Sequence, residues 1–186
     1  MKKLLFVVPV LFLACAHVTP YKMTNYFMND AALGALRAQR VAVLPFSGVT
    51  SRAGTEMADE FNVQLGKIKI FDLVERQKVQ DLFKEQDFDP KRLDPETAVK
   101  IGKMLGAHGV VMGNVTNYGE GKVGASVKLV SVETGTQIWQ ASDVLNGDDK
   151  RVKILVDKPD RYRLVEDPAF LSQILCRLMA ETLKSK

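Results

Sequence analysis

Three apolar runs dominate the hydrophobic pattern, at residues 109–118, 122–132 and 136–145. They are separated only by Gly119-Glu120-Gly121 and Glu133-Thr134-Gly135. Val110, Val111, Val123, Val127, Val130 and Trp139 give them β-branched and aromatic character, and the glycine-bearing turns predict an antiparallel meander at the centre of a sheet. Residues 40–46 form a near-continuous apolar run ended by Pro45-Phe46, as expected of a strand buried on both faces. Ala53, Met57, Ala58, Phe61 and Leu65 recur at helical spacing, and Gly66 is read as the end of that helix. Residues 68–74 return as a second strand. Glu75-Arg76-Gln77 then opens a helix striped by Val79, Leu82 and Phe83, and 88–93 is a connection. Asp94-Pro95-Glu96-Thr97 combines a capping carboxylate, a first-turn proline and an acid, which predicts a further helix ending at Gly106. Residues 168–183 carry Leu171, Leu175, Leu178 and Met179 on one stripe and form a terminal helix.

The order β-α-β-α-α-β-β-β predicts an α/β fold, a mixed sheet of about five strands flanked by helices, with a C-terminal helix added. Two stretches lie outside this pattern. Residues 29–36 read as a short helix capped by Asn29 or Asp30. Just before it, Tyr21, Met23, Tyr26, Phe27 and Met28 suit either a tether lying on its own domain or a segment docking on a neighbour. Residues 143–167 are charged, and the six basic side chains at 150–163 are matched in number by acids at 148–167. That balance describes a solvated segment, not an anion site. Val152, Ile154 and Val156 alternate with charges, leaving a loop and a short edge strand both open.

The first residues change the picture most. Lys2-Lys3, an apolar run at 4–13 and Ala14 have the zones of a secretory signal peptide, and the run is too short for a transmembrane helix. Phe12-Leu13-Ala14-Cys15 resembles the lipobox of bacterial prolipoproteins, with Phe12 where leucine is usual. The resemblance implies a signal peptide at 1–14, a covalent lipid such as palmitate on Cys15, a lipidated tether at 15–40 and a periplasmic domain at 41–186. Ala16, in place of an aspartate, favours the outer membrane.

At 186 residues, 46% hydrophobic and 26% charged, the chain suits one folded domain. Removing residues 1–14 takes basic side chains from 26 to 24 against 22 acids, so the net charge of +4 falls to +2 and argues for no nucleic-acid partner. Cys176 is the one cysteine besides Cys15, which excludes an internal disulfide in a mature monomer and suits a buried thiol.

Candidate chemistry is sparse. Gly119-Glu120-Gly121-Lys122-Val123-Gly124 fits the dinucleotide fingerprint, but a helix must start there to hold the pyrophosphate, and 125–132 reads as a strand. The two histidines, His17 and His108, complete no catalytic or metal-ligating set. Asp87, Asp89 and Asp94 are interrupted by Pro90 and lack the glycine and glutamate of a calcium loop. The expectation is a non-catalytic protein, with no catalytic, cofactor or metal residues.

Val41-Ala42-Val43-Leu44-Pro45-Phe46, Phe71-Asp72-Leu73-Val74-Glu75-Arg76-Gln77, residues 105–115 beginning Leu105-Gly106-Ala107, and Leu129-Val130-Ser131-Val132-Glu133-Thr134-Gly135 resemble, in succession, the CsgG family of curli-secretion lipoproteins. The resemblance implies an α/β domain also found in LpoB, a peptidoglycan-synthase activator, and in the N-terminal domain of TolB. Pore-forming members carry two transmembrane hairpins and an aromatic constriction loop. Here the first insertion place holds three residues, the second lacks an outward apolar band, and Ser47-Gly48-Val49-Thr50-Ser51 has no aromatic. The implied function is that of an outer-membrane lipoprotein facing the periplasm, which binds a periplasmic or outer-membrane protein and assists assembly, secretion or peptidoglycan synthesis. The alternatives are a homo-oligomeric ring of a secretion channel and, second, a periplasmic enzyme whose site leaves no linear motif.

Overall fold

Side chains that accept a backbone N–H decide where several helices begin. In the computed structural model, which describes residues 18–184, Asn29 accepts from Ala32 at 3.1 Å, Thr50 from Ala53 at 3.0 Å, Asp94 from Thr97 at 2.7 Å and Asp167 from Phe170 at 3.1 Å. Each takes a donor that the first turn leaves unpaired. The helices are α1 (Asp30–Leu36), α2 (Ser51–Ile68), α3 (Arg76–Glu85), α4 (Pro95–Met104), α5 (Lys150–Lys153), α6 (Arg163–Glu166) and α7 (Pro168–Glu181).

The strands are β1 (Tyr26–Met28), β2 (Arg40–Val43), β3 (Ser47–Gly48), β4 (Asp72–Leu73), β5 (Gly109–Gly119), β6 (Lys122–Ser131) and β7 (Gln137–Asn146). They form one mixed sheet in the order β1-β7-β6-β5-β2-β4, with β3 also on β5. β1, β7, β6 and β5 pair antiparallel, whereas β2 runs parallel to both β5 and β4.

Side chains alternate between the faces along each strand. Val41, Val43, Val111, Val127, Leu129 and Trp139 lie on the face covered by α2 and α7. Ala42, Leu44, Val110 and Val130 lie on the other, against α3 and α4. The sheet is therefore buried on both faces at β2, β5 and the end of β6, as the unbroken apolar run at 40–46 requires for β2. Trp139 is fully buried, its ring stacked 6.0 Å from that of Phe61, and its Nε1 donates to Thr182 Oγ1 at 2.8 Å. That one residue thus ties β7 to α2 and to the end of α7.

The sheet is mixed and helix-flanked as expected, with seven strands instead of about five, because β1 and β3 are short additions. The meander matches the sequence reading to within a residue at each end. Gly66 does not end α2. The helix continues to Ile68 and stops at Lys69, whose φ of 55° is left-handed. Only two residues are then left to pair as β4 where 68–74 was expected to be a strand. Val152, Ile154 and Val156 form no edge strand, since Asp149 caps α5 by accepting from Arg151 N at 2.8 Å. Within the stretch read as a tether, Met23 is buried, β1 joins the sheet and α1 packs beside β7. The signal peptide, Cys15 and His17 lie outside the described residues.

Phe46 lies flat on Gly113 of β5, where a Cβ would come within 2.6 Å of the ring. Gly113→Ala is expected to lower stability by about 1–3 kcal/mol through this overlap. Urea unfolding of the single variants and of the double variant with Phe46→Leu checks it, the double variant being less destabilised than the sum if ring contact is the cause.

Candidate functional site

The motifs that carried the family resemblance turn out to hold the scaffold. Arg76, the first residue of α3, reaches back so that its Nε and Nη2 lie 2.8 and 2.6 Å from Asp59 Oδ1 of α2. Its Nη1 donates to the carbonyl of Val43 at the end of β2. The side chain is only 16% exposed, so one guanidinium closes the junction of α2, α3 and β2. In the motif at 105–115 Gly106 adopts a φ of 63°, which turns the chain from α4 into β5. His108 N–H then donates to Arg40 O at 2.8 Å, and His108 O accepts from Val132 N–H at 2.9 Å. This joins β2 to the Glu133-Thr134-Gly135 turn.

That end of the sheet carries a groove of about 620 Å³ between α1, the end of α4 and the 133–135 turn. Leu36, Ala107, Val132 and Ile138 form its apolar lining, with Lys103, His108 and Glu133 around it. His108 is exposed, and no group of three or more His, Cys, Asp or Glu side chains among the described residues is arranged to hold a metal.

The opposite end is where a pore-forming relative would carry its first membrane hairpin. Gly119 pairs directly with Lys122, so β5 and β6 are joined by the two-residue turn Glu120-Gly121, with Gly121 at a φ of 67°. Gly121 N–H donates to Val165 O at 2.6 Å, and Gly121 O accepts from Gly147 N–H at 2.9 Å. The tip is thereby sewn to α6 and to the end of β7. Ala125 lies within β6, so no helix starts behind the dinucleotide-like glycines. After Ser142 the chain completes β7 and turns into α5 and α6. There Arg151 pairs with Asp149, Lys153 with Asp148, and Arg163 with Asp160 and Asp167. At the constriction-loop place, Ser47 belongs to β3, and its hydroxyl donates to Asn114 Oδ1 at 2.9 Å.

The third surface is the free edge. Tyr21 fastens the N-terminal segment: its hydroxyl donates to Asp143 Oδ2 at 2.7 Å, its N–H to Arg151 O at 2.9 Å, and the Arg151 guanidinium stands 5.1 Å from the ring centre. Burial, then the Asp143 carboxylate, pushes the Tyr21 phenol up to about 12. β1 is the last strand on its side, leaving one edge unpaired. Tyr26 and Phe27 on it are 44% and 52% exposed. Phe27 is in register with Gln140 and, through it, with Lys128, so it stands on the face of the meander that α2 and α7 leave uncovered.

The other perturbed groups are structural in their contacts. Tyr118 OH donates to Glu56 Oε2 at 2.6 Å, and Arg52 Nε lies 2.6 Å from Glu56 Oε1. Burial first and Glu56 second raise the Tyr118 phenol, while the hydrogen bonds from Tyr118 and then Arg52 lower the Glu56 carboxyl. Cys176 is fully buried, its Sγ 3.5 Å from Met57 Sδ, and burial raises its thiol. None of these side chains lines the groove around His108. Sequence reasoning missed the Tyr21–Asp143 and Tyr118–Glu56 contacts, which join residues 122 and 62 positions apart and leave no local signature.

The chain belongs to the CsgG family: the model for the curli production assembly/transport component CsgG matches residues 36–143, from the end of α1 nearly to the end of β7. Solved structures share the fold at low identity. The lipoprotein GNA1162 of Neisseria meningitidis is 18% identical with a TM-score of 0.51, over 63% of this chain and 88% of that one. A PelC dodecamer from Paraburkholderia phytofirmans is 15% identical with a TM-score of 0.50, over 81% and 90%. LpoB of E. coli is 19% identical with a TM-score of 0.50, over 78% and 76%. No curated protein matches the chain significantly.

Arg76→Met is expected to cost about 1.5–3 kcal/mol, the range for hydrogen bonds to a charged group, as read from denaturant midpoints. Because the Tyr21 phenol is raised from 10.0 to about 12, its contribution is complete below pH 10 and is lost as pH rises towards 12. A late phenolate step in the near-ultraviolet, absent from Tyr21→Phe, is the expected result.

Proposed function

We propose that this chain is an outer-membrane lipoprotein whose periplasmic α/β domain binds another envelope protein and assists assembly, secretion or peptidoglycan synthesis without catalysing a reaction. In this reading residues 1–14 are the signal peptide, Cys15 bears the lipid, the tether runs over 15–40 and the domain over 41–186. The observation that carries it is the Glu120-Gly121 turn. A member of the CsgG family that closes this hairpin in two residues has no chain at that place from which to build a membrane hairpin. What its fold offers instead is binding surface, namely the unpaired edge of β1 with Tyr26 and Phe27, and the groove beside His108. A strand added to β1 would gain backbone hydrogen bonds while Phe27 supplies apolar contact.

A ring-forming secretion component is the second reading, favoured by the likeness to a PelC dodecamer over most of both chains. Sizing the purified protein separates the two: the adaptor reading expects a monomer or dimer, and a stable assembly of many subunits would replace it with the ring. Acylation is checked by labelling cells with a radioactive fatty acid. Label is expected on the wild-type protein and absent from Cys15→Ser, and equal labelling of the two would reject the anchor.

A further inference from the structure

Val18 is the first described residue, three peptide steps from Cys15. Three steps span at most about 11 Å whatever their conformation. From Val18 the chain runs to Tyr21, which is fixed to Arg151 and Asp143. A lipid on Cys15 therefore holds the α5 end of the domain close to the bilayer. The 133–135 turn lies at the far end of β6, whose ten residues extend about 33 Å. Tyr21 is held by Asp143, in register with Ala125, so the turn stands about 20 Å further along β6 than the point where the leash is fastened, and the α5 end is the nearer of the two to the lipid.

The surface near the leash is chemically suited to this position. Ile154, just after α5, is 38% exposed, and Tyr162, just before α6, is 60% exposed, while Val18 on the leash itself is 44% exposed. A tyrosine with a free ring and hydroxyl fits the boundary between acyl chains and headgroups. Nearby charges are largely cancelled, since Asp148, Asp149, Asp160 and Asp167 are paired with Lys153, Arg151 and Arg163. Lys22, Lys122, Lys150, Lys158 and Arg161 have no ion pair among the described residues, and nor do Glu120, Asp157 and Glu166, so the face carries only a small positive excess and is not polybasic.

We propose that the end of the sheet formed by the Glu120-Gly121 turn, α5 and α6 rests on the lipid headgroups of the membrane that holds Cys15, with Tyr162 and Ile154 as its apolar contacts. This rests on the acylation proposed above and adds a fixed orientation. The domain sits upright, and the groove beside His108 points away from the bilayer into the aqueous space.

The test uses the full acylated protein reconstituted in phosphatidylethanolamine–phosphatidylglycerol vesicles whose acyl chains carry bromine. An environment-sensitive fluorophore is attached to Tyr162→Cys, Ile154→Cys or, as the distal control, Thr134→Cys, with Cys176 enclosed and unreactive. Positions 162 and 154 are expected to show blue-shifted emission that bromolipid quenches, and position 134 neither. Flotation that depends on Cys15, with 162 and 154 as unquenched as 134, overturns the seating while sparing the anchor. The same outcome with 162 shielded by a co-purifying protein assigns the face to a protein partner and equally overturns it. Wild-type protein that does not float with vesicles overturns both readings.

Discussion

Everything in this domain follows from the register in which β6 lies on β5. With only Glu120 and Gly121 between the paired residues Gly119 and Lys122, the hairpin has no slack, and a slip of one residue would turn every side chain of β6 to the opposite face. The register that exists sends Val123, Ala125, Val127 and Leu129 under α2 and α7. Because β6 then dictates the pairing of β7, it also determines that Trp139 enters the core against Phe61 while Gln140 and its neighbours face outward. The uncovered face on which Phe27 stands is the complement of that choice. Sealing the turn to Val165 and Gly147 fixes the tip at its far side as well.

The parts of this fold visible in the sequence were those governed by local periodicity. Period-two runs located β5, β6 and β7, Asn29 and Asp94 cap the helices they were expected to start, and the apolar stripe located α7 without signalling its cap, Asp167. Local reasoning failed where a tertiary partner decided the outcome. Gly66 was read as a stop, yet α2 keeps two further turn-forming residues, and Lys69 takes the left-handed position instead. Val152, Ile154 and Val156 alternate as a strand would, but Asp149 and Asp148 hold the segment as a capped helical turn. β1 is three residues long and carries no pattern of its own, so only the open edge of β7 explains it. The candidate surfaces were legible to the same degree. Exposed aromatics at 26 and 27 could be noticed in the chain, whereas the anchoring of Tyr21 by Asp143 joins opposite ends of the sequence.

Several of the residues that carry the family resemblance hold the framework together. Arg76 closes a junction between two helices and a strand, Gly106 starts β5, and Thr134-Gly135 reverses the chain into β7. Such positions preserve an architecture that proteins 15–19% identical to this chain also adopt. What each member does must then reside in the parts the framework leaves free: the chain admitted at the β5–β6 turn, the segment after β7 and the exposed edge. Here the first is minimal, the second is folded into short helices, and the third bears two aromatic rings.

Cys176 has a consequence for how the chain matures. Its sulfur is enclosed only once α7 lies on α2, a contact between residues 119 positions apart in sequence. Such distant contacts close late, after local helices and hairpins have formed. Were the domain to fold in the oxidising periplasm, as proposed above, its thiol would be open to mixed-disulfide chemistry until α7 docks on α2, and sealed afterwards. The same docking that buries Leu171, Leu175 and Met179 in the core would then also shield the sulfur from any external disulfide.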